Sequence, residues 1–164
     1  MDWTKQIGRY IVVMLLQVLL FNRLQLAGIC HPYIYILCLL MMPITLPNSV
    51  EMLIGALVGL VMDVFCNSMG IHMAACVLIM LLRPYLIGRM VSDKERLTEE
   101  ISARSLGIEA MMRYTVILVV IHHLTIFLLA SWTWTHVGFA LLETLASGLI
   151  TLIVILGYNL MKYR

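Results

Sequence analysis

The chain has 164 residues, a length suited to one domain, with 62% hydrophobic and only 12% charged residues and a formal net charge of +2. Soluble domains run at roughly 45–50% apolar and 25% charged, so this composition excludes an ordinary soluble protein and points to the bilayer, while the small net charge gives no sign of nucleic-acid binding. Cys30, Cys38, Cys66 and Cys76 show no CxxC spacing, which leaves a zinc site or a disulfide framework unsupported, although Cys30 and Cys66 could pair if both faced outward.

Lys5 and Arg9 precede the apolar run Tyr10 to Phe21, an arrangement that resembles the charged start and apolar core of a signal peptide. Leu26, Ala27 and Gly28 approach a lipoprotein signal, but Ile29 intervenes before Cys30. The segment therefore reads as a retained first span over about 8–21, ended by Asn22 and Arg23. A short second span over about 32–42 is closed by Pro43 and Pro47. At roughly 1.5 Å per residue neither crosses a 30 Å core alone, so flanks must extend them or neighbours must shield them.

Asn48 with Glu51 three residues on fits a capping box that opens a third span over about 49–65. Asn67, Ser68 and Gly70 reverse the chain into a fourth span over about 72–86, from whose end Arg83 and Arg89 are expected to snorkel to the interface. The polar stretch over about 91–110 reads as an amphipathic cytoplasmic loop on the membrane surface. Ser92 and Glu95 cap it, Glu100 and Arg104 pair along it, and Leu97, Ile101 and Ile108 form its apolar side. A fifth span over about 111–130, an aromatic interfacial turn at Trp132, Thr133, Trp134 and Thr135, and a sixth span over about 137–160 complete the chain. The expected fold is an all-α, six-helix membrane bundle. In it Lys5, Arg9, Arg83, Arg89, Lys94, Arg96, Arg104, Arg113, Lys162 and Arg164 share one side and Arg23 alone lies on the other, which predicts both termini in the cytoplasm.

Gly55, Gly59 and Asp63 recur every fourth residue and stack on one helix face. Gly55 and Gly59, with Ala56 alongside, form a GxxxG surface for close helix approach, and Ala140, Thr144 and Gly148 repeat the spacing in the sixth span. Asp63 has two readings: a polar partner for His72 in an outward-facing cavity, or an acceptor for the turn's own N–H groups. Glu143, about 10 Å from the outer end of the sixth span, joins Asp63 and His72 as a candidate polar cluster. His122 and His123 lie near the middle of the fifth span, but adjacent helical residues point about 100° apart and cannot chelate one ion, so neither metal nor cofactor is expected. A proton relay through Asp63, His122 and Glu143 and a purely structural role for the three both fit. The thirteen methionines are dispersed and read as flexible packing. No nucleophile elbow, phosphate-binding loop or HExxH occurs, and no enzyme is expected.

The run Gly55-x-x-x-Gly59-Leu60-x-x-Asp63, followed by Ser68-x-Gly70 and another apolar span, resembles the central signature of the MreD family of bacterial rod shape-determining membrane proteins. In that signature a GLxxD helix runs into an LG-type turn; here Met69 stands where leucine is usual. The likeness extends to chain length, six spans, the proline-bounded second span and the basic loop after the fourth. It implies a multi-pass protein of the bacterial cytoplasmic membrane with the six-helix fold of the S components of energy-coupling-factor vitamin transporters. The implied role is a scaffold that binds the single-span protein MreC within the cell-elongation machinery for lateral peptidoglycan synthesis, linked indirectly to MreB, RodA and a penicillin-binding protein. On this reading the faces of Gly55 with Gly59, or of Ala140 with Gly148, and the apolar outer surface receive the MreC helix; self-association within the complex stays open. The alternative is a small-solute, vitamin-type binding subunit of a transporter, suggested by the fold and by Asp63, His72 and Glu143 gathering toward the outer leaflet.

Overall fold

Among the described residues, four helices combine the length and apolar composition needed to cross a bilayer. The computed structural model describes residues 3–24, 28–90, 101, 106–131 and 136–163. In chain order it contains α1 (Trp3–Leu19), a 3₁₀ turn (Phe21–Arg23), α2 (Ile36–Leu40), α3 (Asn48–Cys66), α4 (Ile71–Met90), α5 (Ile108–Ser131) and α6 (Val137–Tyr163). All regular elements among the described residues are helical. Helices α3 to α6 are the four that can span a membrane, and at 1.5 Å per residue they measure about 28 to 40 Å. Among the described residues the chain is thus all-helical, with four membrane-capable helices.

The helices pack in sequence, α3 on α4, α4 on α5 and α5 on α6. Their outward positions are large and apolar: Leu53, Leu57, Leu60 and Val64 on α3, and Leu145, Leu149 and Ile153 on α6, are all exposed. A spacing of three and four residues makes each set a continuous stripe. Such stripes suit lipid, because hydrocarbon rather than water surrounds them. Helix α1 carries a similar stripe of Ile7, Ile11, Leu15 and Leu19.

The expected second span takes an unexpected form. Only Ile36–Leu40 is helical, about 7 Å of rise, and it lies inside the protein: Ile34 to Met42 are all buried. Even so, the segment traverses the bundle. Its Tyr35 hydroxyl meets His72 near the start of α4, and its Met42 carbonyl accepts from Arg83, eleven residues and about 16 Å further along that helix. Irregular backbone at membrane depth survives where protein shields it and satisfies its polar groups. Here side chains of other helices do so. Gln17 Oε1 accepts from the N–H groups of Ile34 and Tyr35 at 2.6 and 3.2 Å, and Gln17 Nε2 donates to the Pro32 carbonyl at 3.1 Å. The Ser147 hydroxyl accepts from His31 N–H, that of Thr151 from Tyr33 N–H, and the Tyr114 hydroxyl donates to the Leu40 carbonyl.

Two local expectations are corrected. Asn48 and Glu51 do not form a capping box: Pro47 occupies the N-cap of α3 with no side-chain cap bond, and Glu51 turns instead to Arg83. Arg83 does not snorkel, being only 1% exposed. It is ion-paired with Glu51, donates to Met42 and donates to the Tyr114 hydroxyl at 3.1 Å. A buried guanidinium needs a counter-charge and several acceptors at once, and the core supplies them. Of the expected surface loop, Ile101 and Leu106 are buried in the core, while the Ser92–Glu95 cap, Leu97 and the Glu100–Arg104 pair lie outside the described residues, as does the aromatic turn at 132–135.

Candidate functional site

The α3–α4 hairpin is built by the residues of the signature. At Gly59 a Cβ would come within 2.4 Å of the Met73 Cα and 2.7 Å of the His72 carbonyl; at Gly55 it would meet Met80 Cγ at 2.7 Å. Both glycines exist so that α4 can approach. The GxxxG face, expected to receive a partner's helix, is therefore already filled by α4. Asn67 ends α3 in the left-handed region at φ 54°, and Gly70 takes φ 91°, where a side chain would be strained.

Asp63 completes the hairpin. Its Oδ1 accepts from the Ser68 hydroxyl at 2.6 Å and from His72 N–H at 2.9 Å, and its Oδ2 accepts from Met73 N–H at 2.9 Å. The carboxylate thus closes two of the orphan donors at the start of α4, where the helix dipole also favours negative charge. Its N–H donors belong to the first turn of α4 and the reversal itself contributes the Ser68 hydroxyl, while its contact with His72 is to the backbone rather than the ring.

The second small-residue face points inward too. Ala140 packs with Ala75, Ile126 and Phe127, and the Thr144 hydroxyl bonds the Ala140 carbonyl of its own helix. Gly148 is buried, yet nothing among the described residues lies within 4 Å of where its Cβ would be.

His72 and Glu143 meet at a cavity of about 460 Å³ at the end of the bundle that bears the α3–α4 turn. Its described walls also include Phe21, Asn22, His31, Tyr33, Phe65 and Phe127, so it draws on the 3₁₀ turn, the buried segment and helices α3 to α6. Its size falls within the roughly 300–1,000 Å³ of ordinary small-molecule sites. Asp63 is not among its lining residues, so the expected three-residue cluster reduces to two members of one cavity wall.

Behind that wall runs a hydrogen-bonded chain that the linear sequence does not display. The Tyr35 hydroxyl lies 3.0 Å from His72 Nδ1 and 2.7 Å from His122 Nε2, with the Cys76 thiol 3.8 Å away. The hydroxyl has one proton, so one of the two imidazoles must donate to it. Among the described residues His122 Nδ1 is buried without a partner, and an orphaned lone pair is tolerated more readily than an orphaned N–H. The consistent assignment has His122 Nε2–H donating to Tyr35 and Tyr35 donating to His72 Nδ1. The Nε2–H of His72 then remains as a donor at the cavity wall. His123 is separate: its Nδ1 meets the Val119 carbonyl at 2.9 Å and its Nε2 meets Thr151 at 3.2 Å. The two adjacent histidines thus serve different networks. Among the described residues no group of three His, Cys, Asp or Glu is placed to hold a metal, and the four cysteines are free thiols.

Fold and site together define a membrane protein with a buried traversing segment and a sizeable end cavity. Comparison with protein-family models, curated proteins and solved structures returned no match.

Proposed function

We propose that this chain is a non-enzymatic membrane scaffold of the MreD kind, which binds a single-span MreC-type partner in the bacterial cytoplasmic membrane and supports lateral peptidoglycan synthesis. The observation that carries the proposal is the hairpin. Gly55, Gly59, Asp63 and Gly70, the residues of the resemblance, each have a distinct and mutually dependent part in one packing unit. In this reading α1 and the traversing segment over 30–42 are the first two passages of a six-pass, S-component-like arrangement. With Arg83 removed to the core, the basic residues still divide nine to one, which favours cytoplasmic termini.

The inward glycines move the partner's seat to the outer stripes, Leu53 to Val64 on α3 or Leu145 to Ile153 on α6. A photo-crosslinking residue placed at Leu57 or Leu149 is expected to capture a single-span membrane protein in cells, whereas one at buried Met80 is not. Depletion of the chain is expected to round up rod-shaped cells. Depleted cells that keep their shape would overturn the scaffold reading; retained rounding with no adduct from either stripe would overturn only the placement of the partner.

The cavity favours a second reading, a solute-binding subunit. Thermal stabilisation of the purified chain by one member of a vitamin panel, with loss of its uptake on depletion, would establish it. Rounding without any uptake defect counts against it.

A further inference from the structure

We propose that the end cavity is a binding site for an organic ammonium group carried on an apolar or aromatic body. The inference rests on the solute-binding reading only for the existence of a ligand and is independent of transport. Four aromatic rings, those of Phe21, Tyr33, Phe65 and Phe127, stand around the space, with Ile71 and Ile126 between them. Tyr33 is held in place by edge contact with His72 at 5.0 Å between ring centroids and by ring contacts with His123 and Phe127. Such rings offer apolar surface and negative π faces together, the environment that receives an ammonium group.

Charge selects further. Glu143 is the one carboxylate among the described lining residues, and no lysine or arginine is among them. It is partly exposed and, among the described residues, has neither a salt bridge nor a hydrogen bond; the imidazole of His31, also on the wall, is the basic side chain that faces it. An anionic ligand would be repelled by that carboxylate, while a cation gains from it and from the rings. His72 contributes direction. Fixed through Nδ1 by Tyr35, it presents Nε2–H as a donor, so the ligand is expected to carry an acceptor, such as a hydroxyl or a ring nitrogen, away from its ammonium end. The same chemistry is borne by a soluble amine and by an ethanolamine lipid headgroup.

The test uses the full chain purified in detergent and a panel of arylalkyl amines matched with their N-acetyl and carboxylate analogues, read by thermal stabilisation and calorimetry. Amines are expected to bind, and the neutral and anionic analogues to bind more weakly. Glu143→Gln should weaken amine affinity about tenfold, the scale of one lost charge-assisted contact. Because Glu143 has no bond to lose, this variant keeps the fold; its unliganded melting temperature checks that. Ala130→Phe, which fills the cavity wall, should abolish binding. Repeating the titration in nanodiscs with and without phosphatidylethanolamine separates the sources: competition identifies the lipid headgroup, and its absence a soluble amine. N-acetyl analogues binding as well as amines, or Glu143→Gln binding amines unchanged, would overturn the ammonium assignment and leave a ligand cavity standing. A chain that binds no member of the panel would overturn the assignment and the solute-binding reading together.

Discussion

Replacing Glu51 by glutamine tests whether Arg83 is a core residue or a surface one. Glutamine keeps the volume and one acceptor oxygen but removes the negative charge. Arg83 is 1% exposed and cannot shed its proton, so its charge would be left facing neutral acceptors alone: the new amide oxygen, the Tyr114 hydroxyl and the Met42 carbonyl. Breaking a buried pair by removing one partner costs about 3–5 kcal/mol. For a chain of this length each kcal/mol lowers the melting temperature by about 2–4 °C, so the expected fall is about 6–20 °C. The free cysteines provide the assay: Cys30, Cys38 and Cys76 are buried and react with a fluorogenic maleimide only as the fold opens. The double variant Glu51→Leu with Arg83→Met, which removes both charges, should recover much of the loss, because well-packed apolar groups replace a buried pair at little cost. A Glu51→Gln melting temperature within about 2 °C of the parent, the scale of an exposed pair, would refute the reasoning. So would a double variant no more stable than the single one.

The glycines should rank in the order of their neighbours. Gly59→Ala meets α4 backbone at 2.4 Å and must separate the hairpin, Gly55→Ala meets the movable end of Met80 and should cost less, and Gly148→Ala, with nothing within 4 Å, should stabilise by about 0.4–1 kcal/mol. Melting temperatures of the three give the order, and a neutral Gly59→Ala would disprove the packing role. Asp63→Ala removes the cap of α4 and should cost about 1–2 kcal/mol, read by melting and by faster amide exchange at His72 and Met73. Tyr35→Phe strips both imidazoles of their shared partner and should destabilise by about 1–3 kcal/mol, with a changed tautomer signal for His72 in nitrogen NMR. An unchanged tautomer signal would remove the basis for His72 as a cavity donor.

The hairpin was legible because everything that builds it is local. Gly55, Gly59 and Asp63 share a face by helical period alone, and Asn67, Ser68 and Gly70 mark the reversal through their own backbone preferences. The buried pair was not legible: Glu51 and Arg83 lie 32 residues apart, and each sits where a local rule, a capping box or a snorkelling end, offers a simpler account. The role of Gln17 is hidden in the sequence for a related reason. One amide in an apolar helix carries no period, and its importance depends on which backbone it faces. The same holds for Tyr35, whose link between His72 and His122 spans three elements. Glu143 and His72 stand out in the sequence as intramembrane ionisable residues, yet only their common cavity shows what they share.

Composition and hydropathy by themselves determined the environment, the helical class and the four long helices. A backbone in hydrocarbon must satisfy its own hydrogen bonds, and that constraint acts on every residue wherever its neighbours are. Tertiary structure alone decided the fate of the segment over 30–42. Its apolar residues suit a lipid-facing helix and a buried strap equally well; the choice fell to Gln17, Arg83, Tyr114, Ser147 and Thr151, which bond its backbone from four other helices. Hydrophobic patterning records how much surface must leave water, whereas the partner of a buried polar atom is a matter of position in space.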